Sequence, residues 1–318
     1  MTAPKPLPVW GPLATGHPSG RVGELVRILA DPPADADLLA LRAELGLGWL
    51  AIYEREGDEA AHAAGLACLH AAIEQGPTHP LWSRWVRWLG LGYAERGRRR
   101  HSLTDYHEAI NWLTTLYVTL PAAERGTVAA TLLEVCWERF WLVRFGQPED
   151  TTTGLAESDR LIDLVVPLLA GEGVVEALRD ARLLAGLAHL ERYEFSGNRS
   201  DLDRGIDLLA AGSLWDLPPG TPSICQLGSE LANALRRRAI LDDDPASLDR
   251  AIAAGERTIE RSSAADGSAW LMLHFYQAMA YEQRLQADGT GVDGRHRTDV
   301  EGAVACWRVL ADAGDQGV

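Results

Sequence analysis

A short pattern of small and apolar residues returns six times along the chain. Its clearest copies, Leu45–Trp49 and Leu89–Tyr93, both read Leu-Gly-Leu-Gly-aromatic. The six copies align on one small residue each: Gly48, Gly92, Cys136, Ala188, Ala234 and Ala280. These residues are 44, 44, 52, 46 and 46 positions apart. Because self-similarity at a period of about 20–50 residues is typical of stacked repeats, the pattern predicts a repeat array, an architecture that commonly presents a binding surface.

Apolar residues recur at helical spacing almost throughout the chain after Arg21, without the alternation that is typical of strands. Segments rich in glycine and proline separate about twelve helices, which follow a short leading helix near 21–30 and pair into six hairpins. The small residues lie on the first helix of each pair. Since glycine costs about 1 kcal/mol relative to alanine within a helix, Gly46 and Gly90 predict the close approach of a neighbouring backbone.

The second helix of each pair has its own signature, in which a polar residue, usually an acid, begins a short apolar pattern. The clearest copies are Asp201–Ile206 and Ser247–Ile252, and weaker copies are Asp105–Ile110 and Asp299–Val304. The acid stands near the start of the helix, where the helix dipole favours a negative charge. The repeating unit is therefore predicted to be a hairpin of two different helices.

Part of the second copy resembles a known repeat family. Leu89, Gly90, Tyr93 and Gly97 are similar to the Leu-Gly-x2-Tyr-x3-Gly core of a tetratricopeptide repeat. The consensus repeat has about 34 residues, and these longer units resemble the tetratricopeptide-like repeats of many bacterial proteins, over most of residues 37–313. The resemblance implies an all-α, right-handed superhelix (a solenoid) of about six antiparallel helix hairpins. Such repeats often precede a caspase-like CHAT peptidase domain, which is not found in this sequence, and no peptidase activity is expected.

Composition narrows the class of partner and the compartment. The chain has 30 Lys and Arg against 45 Asp and Glu, a net charge of −15, which disfavours nucleic acid and anionic membranes as partners. The four cysteines form no CxxC pair, which argues against zinc and a disulfide framework and suits the cytoplasm. No apolar run approaches the roughly 18 residues of a membrane span. We expect a proline-rich arm over residues 1–20 and a single repeat domain over 21–318.

The motifs associated with catalysis or cofactors have simpler explanations in this sequence. Gly46-Leu47-Gly48 begins like a dinucleotide-binding loop, but no predicted strand precedes it, and helix packing explains it better. Asp242–Asp244 is followed at once by Pro245, which favours a turn and a helix N-cap over a magnesium site. His107-Glu108 lacks the second histidine of a zinc protease motif. We therefore expect no cofactor, no metal and no catalytic residue.

The resemblance also implies where a ligand would bind, on the concave face that the first helices form. The residue between the two small positions faces the ligand, together with those four and seven residues before it. Arg84, Arg87 and Asn233 occupy such positions and Arg237 lies beside them. Because residues 84–100 hold six arginines against one acid, we predict a binding site for a protein or peptide with acidic groups at these four residues.

Two other functions stay open at this stage. Eleven tryptophans are an excess; we expect most of them in the core, but some could line a cavity of an all-helical enzyme or small-molecule sensor. The last predicted helix has a sizeable apolar face formed by Val300, Val304, Trp307 and Leu310. That face suggests a third hypothesis, self-assembly of the chain into a homo-oligomer.

Overall fold

The computed structural model describes residues 18–74, 76–145, 151–169, 175–211, 214–216, 222–287 and 294–315. Throughout these residues the regular secondary structure is helical. The predicted arm over residues 1–20 lies mostly outside the described residues, and the first helix begins at Pro18. The helices that the spacing of the apolar residues predicts are therefore present in the structure.

The described residues divide into two compact units, 18–145 and 151–315. The N-terminal unit contains α1 (Pro18–Ala30), α2 (Leu38–Glu56), α3 (Glu59–Ile73), α4 (Trp82–Arg100), α5 (Leu103–Thr119) and α6 (Arg125–Phe145). The C-terminal unit contains α7 (Thr151–Leu169), α8 (Val175–Ser196), α9 (Arg199–Ala211), α10 (Pro222–Asp242), α11 (Pro245–Ile259), α12 (Ser268–Ala287) and α13 (Gly294–Asp315).

Within each unit, consecutive helices pack together as the repeat predicts. The hairpins are α2 with α3 and α4 with α5 in the N-terminal unit, and α8 with α9, α10 with α11 and α12 with α13 in the C-terminal unit. The N-terminal unit ends with α6, which packs on α5, and the C-terminal unit begins with α7, which packs on α8. The prediction of an all-α fold built from helix hairpins is confirmed.

Local sequence signals set several helix ends. The side chain of Asp37 accepts hydrogen bonds from the backbone N–H groups of Leu39 and Ala40, at 3.1 and 3.0 Å, and so caps α2. Asp244 caps α11 in the same way, with Pro245 as the first helical residue. The reading of the aspartate run before Pro245 as a turn and N-cap is therefore confirmed.

The first small residue of the repeated pattern lies where the two helices of a hairpin cross. A Cβ atom added to Gly46 would stand 2.9 Å from the carbonyl oxygen of Gly65 on α3, and one on Gly65 would stand 3.0 Å from the oxygen of Gly46. Gly186 and Gly205 have the same relation in the C-terminal unit, at 3.2 and 3.0 Å. These are the backbone contacts that the sequence pattern predicts.

A half-buried ion pair joins the two helices of three hairpins. Each arginine stands four residues after the aligned small residue, and each aspartate begins the second-helix signature: Arg96 with Asp105, Arg192 with Asp201, and Arg284 with Asp299. The aspartates are buried. In the α10–α11 hairpin Ser247 replaces the aspartate, and Arg238 instead contacts Asp203 and Asp242, at 3.5 and 3.8 Å. The repeat therefore includes an electrostatic contact as well as a steric one.

Part of the tryptophan excess belongs to the core. Trp82 and Trp85 on α4 are buried in an apolar cluster with residues of α2, α3, α5 and α6, and Trp88 packs against that cluster. The ring of Trp85 also stacks on His79, with 4.3 Å between ring centroids. For these residues the core interpretation of the sequence is correct.

Buried histidines make the fold sensitive to acid. Burial lowers the pKa from the ordinary value of 6.5 at four histidines: His62, His70, His189 and His274. As the pH falls through 6.5, the unfolded chain takes up protons that the folded chain resists, so the folded state loses stability. We expect the melting temperature to be lower at about pH 5 than at about pH 7. His274→Leu should reduce this loss.

His274 suits this test because neither ring nitrogen has a hydrogen-bond partner among the described residues, although the side chain is buried. Removal of an unsatisfied buried polar group should also raise the free energy of unfolding at neutral pH by about 1–2 kcal/mol. Thermal melts of the wild type and the variant at the two pH values measure both effects. A variant that is less stable at neutral pH and equally acid-sensitive would contradict this account of His274.

Candidate functional site

Six arginines lie on α4, and four of them are paired with acidic side chains. Arg96 pairs with Asp105 on α5, Arg98 with Glu95 and with Glu138 on α6, Arg99 with Glu95, and Arg100 with Glu59 on α3. These four side chains hold neighbouring helices together. The sequence shows these arginines as one basic segment. In the structure, the C-terminal half of that segment stabilises the packing of α4 against its neighbours.

Arg87 is partly buried and lacks a carboxylate partner among the residues that the structure describes. Its Nη2 atom donates a hydrogen bond to the Oγ1 atom of Thr131 on α6, at 3.0 Å. Its Nε atom is buried and has no hydrogen-bond partner among the described residues. Burial lowers the pKa of the Arg87 guanidinium, and the carboxylate of Glu134 acts in the opposite direction through space. The Nη atoms of Arg87 keep hydrogen-bond capacity for an anionic group, because only one of their N–H groups is used by Thr131.

Arg84 lies one helical turn before Arg87 and is exposed. Its guanidinium carbon stands 4.4 Å from the centroid of the Trp88 ring, a cation–π contact, and it makes no ion pair with a described residue. Both arginines are in the first two turns of α4, where the helix dipole is positive. Leu81 at the N-cap provides no side-chain hydrogen bond to this end of the helix. Two cations at this position favour the approach of an anion.

The residue that contacts Arg87 occupies the equivalent position in the next repeat, on α6. Arg87 and Thr131 are 44 residues apart and are hydrogen-bonded to each other, so equivalent turns of α4 and α6 lie side by side. Val128 on α6 is buried beside the tryptophan cluster. The candidate site therefore has a charged edge at Arg84 and Arg87 beside a buried apolar cluster.

The two candidates on α10 have different surroundings. Asn233 is buried, and its Oδ1 atom accepts a hydrogen bond from Arg236 at 2.9 Å. Arg237 pairs with Glu194 on α8, and its guanidinium carbon lies 5.8 Å from the centroid of the Tyr193 ring. Arg84 and Arg87 belong to the N-terminal unit, whereas Asn233 and Arg237 belong to the C-terminal unit.

Most of the residues that lie between the two small positions of the repeated pattern are buried. Leu47, Leu91, Val135 and Leu187 are buried, and so is Asn233. On the first helices, exposed side chains appear instead seven residues before this position, at Arg84, Asp180 and Met272. On α4, a ligand would therefore contact the exposed side chain of Arg84 and not the buried side chain of Leu91.

Sequence reasoning missed Arg236, which is buried against Asn233 and whose Nε atom has no hydrogen-bond partner among the described residues. Burial lowers the pKa of this guanidinium, with a further contribution from Arg237. Arg236 stands in a run of three arginines, and the sequence does not show which of the three points inward. The sequence shows the run of three arginines, but only the structure shows that Arg236 is the buried one.

The described part of the chain also bears on metal, membrane and thiol sites. There, no group of three or more His, Cys, Asp or Glu side chains is placed to hold a metal ion. No described helix combines the length and the apolar character needed to cross a membrane. Burial raises the pKa of the Cys225 and Cys306 thiols to about 11, so neither is a reactive thiolate at neutral pH.

No protein-family model and no curated protein matches the sequence. Among solved structures, the nuclear import adaptor Nro1 of S. pombe is 15% identical, with 91% of this chain and 90% of that chain covered and a TM-score of 0.37. A tetratricopeptide repeat protein of Parabacteroides merdae is 16% identical, with 84% and 99% covered and a TM-score of 0.26. A de novo designed helical repeat protein is 13% identical, with 85% and 97% covered and a TM-score of 0.18.

Proposed function

We propose that this chain is a non-enzymatic interaction module that binds an acidic segment of a protein or peptide at the first two turns of α4. One observation carries the proposal. Arg84 and Arg87 make no ion pair with a described residue, on a helix whose other four arginines all have acidic partners. The chain has acids in excess, with a net charge of −15, so the lack of partners for these two reflects their position.

The chemistry of the site favours a carboxylate. Arginine presents several donors in a planar fork that fits a carboxylate with two hydrogen bonds. Arg87 is held in place by Thr131, and Arg84 by the ring of Trp88, so less side-chain freedom is lost on binding. An amphipathic helix with an acidic end would place a carboxylate at the arginines and apolar side chains over the adjoining surface.

A peptide selected from a displayed library against the full chain provides the probe for a binding test. The synthetic peptide is titrated by fluorescence anisotropy against the wild type and the Arg84→Ala/Arg87→Ala variant. We expect the variant to bind at least about 100-fold more weakly, since it loses at least two hydrogen bonds to a charged group, each worth about 1.5–3 kcal/mol. Binding to the wild type should weaken as salt rises.

The matched control is Arg42→Ala/Arg55→Ala, which removes the same charge from two exposed positions on α2 of the same unit. This control should retain wild-type affinity and its unfolding midpoint, because solvated surface changes usually fall within about 0.5 kcal/mol. Circular dichroism verifies that Arg84→Ala/Arg87→Ala, which removes one partly buried side chain, stays folded. A second peptide with Asn and Gln in place of its Asp and Glu should bind weakly. Equal affinities for wild type and Arg84→Ala/Arg87→Ala, or no preference for the acidic peptide, would contradict the proposal.

A further inference from the structure

The outer face of α13 exposes positions that are buried in the other repeats. Val304 is 42% exposed. The residues at the equivalent position of the second helices are at most 7% exposed: Leu66, Ile110, Ile206 and Ile252. Val300 is 41% exposed, against 6% or less for its equivalents Tyr106, Leu202 and Leu248. Apolar residues at these positions belong to a surface that is normally covered.

The structure shows what covers such a face inside the array. Ile252 on α11 packs in one cluster with Ala278 and Tyr281 of the next first helix, α12. On α13 no described helix fills the corresponding place. Trp307 extends the exposed apolar face, and its ring packs edge-on against Phe275 of α12, with 6.0 Å between ring centroids. A helix that lay along α13 would bury these side chains together.

Four apolar residues define this face on α13, which we call the α13 stripe: Val300, Val304, Trp307 and Ala311. At 100° per residue they span about 60° of the helix surface. All four are exposed. The stripe is centred between residues 305 and 306, so an antiparallel copy of the helix would place Val304 opposite Trp307 and Val300 opposite Ala311. Large side chains would then face smaller ones across the contact.

The charges beside the stripe favour the same antiparallel pairing. Arg297, Glu301, Arg308 and Asp312 fall on one flank of the stripe, again within about 60°. In two antiparallel helices related by a two-fold axis, the same flank of each helix meets. Arg297, which pairs with Glu301 in its own chain, then lies within one helical turn of Asp312 of the second copy, and Glu301 lies within one turn of Arg308. Opposite charges therefore meet along this flank. This complementarity distinguishes a second copy of α13 from an arbitrary apolar partner.

We infer that the α13 stripe is a docking surface for a second copy of this chain, with the two α13 helices antiparallel about a two-fold axis. Arg297 pairs with Asp312 of the partner subunit, and Glu301 pairs with Arg308 of the partner subunit. The stripe and the exposed ring of Phe275 form the apolar centre of the contact. Such an interface is isologous, so it closes at two copies. It involves only the C-terminal unit and does not depend on the arginines of α4.

Sedimentation velocity of the full chain over a range of concentrations tests the inference. We expect a dimer at about 50 µM or above, as for an interface at the small end of the usual range. Val304→Glu should raise the dissociation constant at least about 100-fold, because two carboxylates would meet at the centre of the contact. Val118→Glu is the control, since Val118 is equally apolar and more exposed but lies on α5. A wild type that stays monomeric, or a dimer that Val304→Glu leaves intact, would overturn the inference.

A charge exchange tests the antiparallel register. Arg308→Glu should weaken the dimer about tenfold, because each of the two symmetric Glu301 contacts turns from attraction to repulsion. The double variant Glu301→Arg/Arg308→Glu restores opposite charges across the contact and should return the dissociation constant close to that of the wild type. Circular dichroism verifies that each variant keeps its helices. A double variant that dimerises as weakly as Arg308→Glu would refute this register.

Discussion

Gly90→Leu is expected to lower the free energy of unfolding by about 3 kcal/mol, at the upper end of the usual cost of overpacking. A Cβ atom at Gly90 would stand 2.9 Å from the Cγ atom of Leu113 and 3.4 Å from the carbonyl oxygen of Ala109. Leu113 is fully buried on α5, and the close packing of a protein core restricts its movement. Urea denaturation followed by circular dichroism measures the change.

Gly23→Leu is the matched control for this prediction. Gly23 is also inside a helix, but a Cβ atom there would meet no other atom within 4 Å. The substitution should leave stability unchanged or raise it by up to about 1 kcal/mol, since leucine is the better helix former. If the two variants had equal midpoints, Gly90 would not lie at a helix crossing and the repeat register would be wrong.

Asp299→Ala is expected to destabilise the C-terminal unit by about 3–5 kcal/mol, the usual cost of breaking a buried ion pair. Asp299 is fully buried and accepts two hydrogen bonds from Arg284, one of them from Nε at 2.8 Å. Its removal leaves a largely buried guanidinium without its main partner. Chemical denaturation of the full chain, with a probe in α12 or α13, reports the loss.

Asp249→Ala provides the comparison because it touches the same arginine. The Oδ1 atom of Asp249 lies 2.9 Å from Nη1 of Arg284 and also pairs with Arg295, but about half of its side chain is exposed. Exposed pairs contribute about 0–1 kcal/mol, so this variant should lose much less stability. Similar losses for Asp249→Ala and Asp299→Ala would show that burial does not determine the strength of these pairs.

The sequence predicts the steric part of the repeat well. Glycine is costly inside a helix, so Gly46, Gly90 and Gly186 stand out at a fixed register, and the structure places all three at helix crossings. The sequence also shows the acid that begins the second helix, but it does not show which arginine pairs with that acid. Arg96 and Asp105 are nine residues apart, whereas Arg284 and Asp299 are fifteen apart, so a variable loop conceals the pairing.

The candidate site was less predictable because its key property is that Arg84 and Arg87 have no acidic partner within the described part of the chain. Sequence alone shows six arginines on α4 as one basic segment. Glu59 and Glu138, which neutralise Arg100 and Arg98, come from other helices about 40 residues away. Likewise, Arg237 appears unpaired until the fold brings Glu194 beside it. Long-range packing decides which arginines remain available.

NMR of the arginine side chains is the most direct test of the claim that α4 carries the binding site. Nitrogen-15-labelled arginine gives one Nε–Hε signal per residue, and Arg87 has a buried Nε atom without a described partner. On addition of the selected acidic peptide, the signals of Arg84 and Arg87 should shift while those of Arg96 and Arg98, already engaged by acids, stay in place. Unchanged Arg84 and Arg87 signals, with shifts at Arg236 or Arg237 instead, would contradict the account and place the site on α10.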